Sequence, residues 1–114
     1  MLKNKVITLH RVHDRVLVKE GEQTLQLSVD IDPFRVTAAL NQAQKRIAAL
    51  TVDSAPEELA QAAMLFAGAI FGQEQAERLL AFYGGDAASA INACGLYFKN
   101  HLRRKIDKAQ RKAR

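Results

Sequence analysis

His10 and His13, three residues apart, are the closest this sequence comes to a metal-ligand pair. They lie in a stretch that reads as strand, where a spacing of three sends side chains to opposite faces, so they are not expected to converge on an ion. No second group of ligand residues accompanies them, and they are read as surface or strand-edge histidines. Cys94, the single cysteine, falls on the apolar stripe of a helix with no motif placing a base beside it. That is the pattern of a small core residue rather than a nucleophile. Asp30 and Asp32 have the opening spacing of a calcium loop, but the glycine and closing glutamate of such a loop are missing, and helix capping accounts for them. Gly84-Gly85-Asp86 follows a helix rather than a strand and precedes no Lys-Ser or Lys-Thr, so it is not a phosphate loop. No catalytic constellation, cofactor site or metal site is expected, and the chain is read as non-enzymatic.

Charge is the feature that stands out. From Leu96 to the end there are eight Lys or Arg against the single Asp107, a local +7, whereas residues 1–95 hold nine against eleven, a local −2. An electrostatic function is thereby confined to the C-terminus, with Arg103, Arg104, Lys105, Lys108, Arg111 and Lys112 as candidate partner-binding residues. The plain alternative is a solvated helix that adds solubility. A small basic nucleic-acid-binding module is a further alternative, although no aromatic is interleaved after Phe98 and no helix-turn-helix pattern is present.

Apolar periodicity defines the framework that carries these residues. Val6 to Leu9 and Arg15 to Lys19 are rich in β-branched residues, Glu20-Gly21-Glu22 supplies a turn, and Leu25, Leu27 and Val29 alternate with polar residues. A two- or three-stranded antiparallel sheet is expected, needing a helix against its apolar face. Asp32-Pro33 opens a helix in which Val36, Leu40, Ala43, Ile47 and Leu50 form one stripe, running from about Pro33 to Leu50. Ser54 and Glu57 have the spacing of a capping box for the next helix, about Ala55 to Ile70. That helix is apolar on nearly every face, turns a corner at Gly72, and continues as about Gln73 to Tyr83. Gly68 and Gly72 would permit close approach of another helix. Gly84-Gly85 ends the segment and Asp86 caps a last helix, about Ala87 to Arg111, striped by Ile91, Cys94, Phe98, Leu102 and Ile106. Past Ile106 only Ala109 and Ala113 are apolar, so fraying is expected from Asp107. Phe66, Phe71, Phe82, Tyr83, Tyr97 and Phe98 read as core, with Phe66, Ile70, Leu80 and Phe98 buried together.

The fold class is α+β, mainly helical: a small N-terminal antiparallel β-hairpin or sheet (1–29), a helical core of about four α-helices (30–106) and a basic end (107–114), all in one domain. With 48% hydrophobic and 25% charged residues the chain should fold. Its N-terminus has no run suited to a signal peptide, and Ala62 to Phe71 is shorter than the roughly 20 residues that span a bilayer, so a soluble, cytoplasmic protein without a membrane role is expected.

From Phe66 to the end, the sequence resembles the C-terminal half of tail assembly chaperones encoded by long-tailed phages and prophages. The resemblance rests on Phe71-Gly72-Gln73-Glu74-Gln75, Leu79-Leu80-Ala81-Phe82-Tyr83, the Gly85-Asp86 helix break and the basic run Lys105 to Lys112. It implies a protein that binds the tape measure protein, keeps its long hydrophobic helices soluble and helps bring tail tube protein to it. It also implies residence in the host-cell cytoplasm and absence from the finished virion. Neither a cofactor nor enzymatic activity is implied, and homo-oligomerisation is compatible with the pattern.

Overall fold

The structure, a computed structural model, describes residues 10–112. The expected strand at Val6 to Leu9, and Ala113 and Arg114 at the other end, lie outside the described residues. Two strands, β1 (Val12–Glu20) and β2 (Gln23–Ile31), pair antiparallel from Val12 opposite Ile31 to Glu20 opposite Gln23. They are joined by Gly21-Glu22, with Gly21 at φ +60 in the first central position. A type II′ turn requires that sign there, and glycine supplies it without strain. Alternation then assigns the faces: Val12, Leu27, Val29 and Ile31 are buried, whereas Arg15, Leu17, Lys19, Gln26 and Ser28 are exposed.

Four α-helices and the rod that extends the last of them follow, making the fold α+β and mainly helical: α1 (Arg35–Ala48), α2 (Pro56–Phe71), α3 (Gln73–Phe82), α4 (Ala87–Tyr97), a π-helical turn (Phe98–Leu102) and α5 (Arg103–Lys112); the sheet packs chiefly against α2, α3 and α5. α2 is the hub, packing on α1, α3, α4 and β2. That placement reflects its composition, since Ala62, Ala63, Phe66, Ala67, Ile70 and Phe71 leave few faces for water. Gly72, at φ +84, makes the corner into α3; its N–H donates to Gly68 O at 2.9 Å, and Gly72 O accepts from Ala76 N–H at 3.0 Å. One turn into α3, the Gln75 amide clamps the outer edge of β2. Its Oε1 accepts from Ser28 N–H and its Nε2 donates to Ser28 O, both at 2.8 Å. A side chain thus takes the place of a third strand at the middle of an edge that would otherwise present unpaired backbone.

Capping divides between expectation and correction. Asp32 serves as the start of α1: its Oδ1 accepts from Phe34 N–H at 2.9 Å and its carbonyl accepts from Val36 N–H at 3.0 Å. Asp86 caps α4, with Oδ1 accepting from Ser89 N–H at 3.2 Å and Oδ2 accepting from Ser89 Oγ at 2.8 Å. These Ser89 bonds hold the Asp86 carboxyl below its ordinary range. Ser54 does not cap α2. Pro56 takes the first helical position, which moves the cap to Ala55, and the Ser54 hydroxyl instead accepts from Thr51 N–H at 2.8 Å.

The expected core cluster also shifts, at two of its four positions, to the preceding residue. Phe66 and Ile70 are buried, but Leu80 and Phe98 are only half-buried: the buried neighbours are Leu79 in α3 and Tyr97 in α4, while Phe98 meets Phe66 edge-on at 6.5 Å. Phe82 and Tyr83 pair edge to face at 5.3 Å and are only half-buried. A Cβ placed on Gly68 would meet nothing within 4 Å, so the Gly68/Gly72 pair does not seat a close helix. Gly68 borders an open groove with Arg46, Met64 and Leu65.

The last rod is not one regular helix. Its buried positions are Ala87, Ala90, Cys94 and Tyr97, and then, after a gap of five, Leu102, Ile106 and Ala109. Regular spacing of three or four from Tyr97 would place Asn100 or His101 inward. The π turn, closed by Arg103 N–H donating to Phe98 O, absorbs the extra residue and brings both apolar stripes onto one face. Consequently α5 stays helical to Lys112 rather than fraying from Asp107. Ala109 is buried, and Gln110 Nε2 donates to Pro33 O at 3.0 Å. Among the described residues, no helix is long and apolar enough to cross a membrane.

Candidate functional site

Burial of Leu102, Ile106 and Ala109 fixes the rotation of α5 and so sorts its cations. Lys105, Lys108 and Lys112, at i, i+3 and i+7, fall on the flank beside the start of β1. There they line a cleft of about 200 Å³ whose other wall is His10, Arg11 and His13. Arg103 lies on the opposite flank, in a recess shared with Thr37, Asn41 and Gln44 of α1 and with Asp107. The two remaining cations fold along their own helix: Arg104 Nη2 donates to Asn100 O at 2.9 Å and Arg111 Nε to Asp107 O at 3.4 Å. The six candidate residues therefore do not form one patch. Three converge and three are dispersed.

Across the cleft, Arg11 is held by Asp30. Its Nε donates to Asp30 Oδ1 at 2.7 Å and its Nη2 to Asp30 O at 3.3 Å, while His13 Nδ1 lies 3.6 Å from the same Oδ1. The Arg11 hydrogen bond keeps the Asp30 carboxyl below its ordinary range and raises the guanidinium above its own. The expectation that His10 and His13 point apart is corrected here. His10 precedes β1, so strand parity does not govern it, and both residues line the cleft. Among the described residues, no three His, Cys, Asp or Glu side chains gather as a metal site.

A second concavity, about 500 Å³, runs between β1 and α4 and is lined among others by Leu17, Tyr83, Ala93, Leu96 and Tyr97. Its floor is rigid. The Tyr97 hydroxyl donates to Asp14 Oδ2 at 2.7 Å, and its ring stacks on Phe71 with centroids 5.9 Å apart. Burial first, and the Asp14 carboxylate second, push the Tyr97 hydroxyl pKa upward. Leu17 and Leu96 stand on the rim, 56% and 53% exposed. Cys94 of α4 is buried, and burial pushes its thiol up to about 12, which keeps it protonated and unreactive at neutral pH.

The groove and the cleft had no signal in residue spacing, because the two walls of each come from residues more than 60 positions apart. Compared with known proteins, the chain matches no family model, no curated protein and no solved structure.

Proposed function

We propose that this chain is a non-enzymatic assembly adaptor of the tail assembly chaperone kind, which holds a helical partner on its apolar groove and draws in acidic surfaces with its basic end. The partners that the sequence resemblance implies are tape measure protein and tail tube protein, met in the host-cell cytoplasm. The observation that carries the reading is the placement of exposed apolar side chains. Of the exposed large hydrophobics Leu17, Phe34, Val52, Leu65 and Leu96, two share one groove, one from the strand and one from the helix facing it. Scattered surface hydrophobics are ordinary, but a pair rimming a concavity that Tyr83 and Tyr97 also line favours an amphipathic helix laid in a groove.

Covering two half-exposed leucines contributes roughly 1 kcal/mol each, so removing both weakens a complex by about thirtyfold. The test is the full chain against a Leu17→Ser/Leu96→Ser variant, titrated with a helical fragment of a tape measure protein at about 50 and 200 mM salt. Loss of binding at both salt concentrations in the variant supports the groove. Equal binding by both chains refutes it. The cations of α5 favour a second reading, a nucleic-acid module. Duplex DNA run in parallel decides for it if binding falls by about three decades over that salt range, as some six phosphate contacts require, and the fragment does not bind.

A further inference from the structure

We infer that the cleft between the start of β1 and the flank of α5 is a docking site for an acidic peptide segment of a protein partner. The lysines Lys105, Lys108 and Lys112 receive its carboxylates on one wall, and His10 with the free N–H groups of Arg11 receives them on the other. This rests on the reading of the chain as a protein-binding adaptor and specifies the chemistry of what is bound.

Arg11 and the lysines of α5 converge on one recess whose described lining holds no carboxylate, and Asp30, the carboxylate beside Arg11, is already engaged by it at 2.7 Å with His13 beside it. Asp107, the acid of α5, lies on the other flank of the helix in the recess shared with α1. The ion pairs of the described residues are Arg11 with Asp30 and His13 with Asp30, and neither involves a lysine of α5. Like charges three and four residues apart on a helix repel. An anion in the cleft relieves that repulsion and leaves every native contact in place.

Spacing and size narrow the anion. At about 1.5 Å rise per residue, Lys105, Lys108 and Lys112 are set roughly 4.5 and 6 Å apart along the axis. Carboxylates three or four apart on a helix, or on alternate residues of an extended chain at about 6.6 Å, repeat at similar distances. A space of about 200 Å³ is below the roughly 300 Å³ at which small-molecule sites begin, and suits side chains entering singly. Nucleic acid fits less well. The described lining includes no Phe, Tyr or Trp on which a base could stack, and α5 presents ammonium point charges here rather than the forked guanidinium groups that match phosphate.

The test uses the full chain and a fluorescent peptide of alternating glutamate and alanine, with a single-stranded oligonucleotide of equal charge, both read by anisotropy at low salt. Lys105→Gln/Lys108→Gln/Lys112→Gln should weaken peptide binding about tenfold, as the loss of three solvent-accessible ion pairs implies. Arg103→Gln/Arg104→Gln/Arg111→Gln removes the same charge from the same helix and should weaken it less than about threefold. Arg11→Gln, which deletes a cation on the facing wall and releases Asp30, should also weaken it. All these side chains are exposed, and unchanged melting curves check that each variant is folded. Equal losses in the two triple variants, or no effect of Arg11→Gln, overturn the inference in favour of diffuse attraction by the basic end. Oligonucleotide binding without peptide binding overturns it in favour of nucleic acid. The two readings fail separately: cleft variants that leave peptide binding intact sink this inference alone, while Leu17→Ser/Leu96→Ser binding the helical fragment normally sinks only the groove.

Discussion

Deleting Asn100 should leave the protein folded, whereas deleting Asn92 should not leave it comparably stable. Both residues are exposed asparagines on the same rod, one inside the π turn and one inside α4. The π turn carries one residue more than a regular helix needs between Tyr97 and Leu102. Removing Asn100 brings those residues to a spacing of four, and both stripes stay on the core face with ordinary α-helical bonds. Its expected cost is within about 1 kcal/mol, the worth of an exposed hydrogen bond such as Arg104 to Asn100 O. Removing Asn92 rotates the C-terminal remainder of the rod by about 100°. If the π turn reverts to α-helix and absorbs the change, Gly95 and Phe98 still occupy the sites of Cys94 and Tyr97, which are 1% and 8% exposed. A glycine then sits mid-helix and the Tyr97 bond to Asp14 is lost, at a combined cost of about 3 kcal/mol or more. If it does not revert, Arg103 and Asp107 enter the sites of Leu102 and Ile106, which is worse. At roughly 4–8 °C per kcal/mol for a domain near this size, the second deletion melts roughly 10–25 °C lower than the first. Thermal and urea unfolding followed by circular dichroism measure both. Asn100-deleted protein that melts as low as Asn92-deleted protein would refute the idea that the π turn exists to align two stripes.

The packing sets three further outcomes. Phe66→Ala, at a site 5% exposed and in edge contact with Phe98, should cost about 3–5 kcal/mol in urea denaturation. Gln75→Ala should cost about 1–3 kcal/mol and remove hydrogen-exchange protection at Ser28, because both bonds to the β2 edge go together. Stability should fall at high pH through Cys94: the unfolded thiol ionises near its ordinary 9.0 and the folded one near about 12. The contribution is intact below the first value and declines by about 1.4 kcal/mol per pH unit between the two, so Cys94→Ala should show a shallower alkaline loss.

Local periodicity encodes the part of the fold that was legible in the sequence. The hairpin turn at Gly21, the alternation of Leu25, Leu27 and Val29, the Asp32 and Asp86 starts and the corner at Gly72 each depend on neighbours within a few residues. The π turn was not legible because two stripes of different phase, ending at Tyr97 and beginning at Leu102, read as one when Phe98 is counted as the link. Ser54 misled because a capping-box spacing competes with proline's preference for the first helical position, and Pro56 prevailed. On the candidate site, the basic end was visible as composition, but its division into three converging lysines and three dispersed arginines depends on the rotation of α5. His10 and Arg11 join that site only through tertiary contact. The same holds for Leu17 and Leu96, which no periodicity links.

Binding of a protein partner through the groove and the cleft together is decided by a heteronuclear NMR titration of the full chain with a helical tape measure fragment bearing an acidic end. Shift changes should concentrate at Leu17, Ala93 and Leu96 and persist at about 200 mM salt, while changes at Arg11, Lys105 and Lys108 should shrink with salt. Changes confined to Arg103, Arg104 and Arg111, or none with the fragment and many with duplex DNA, would contradict this reading.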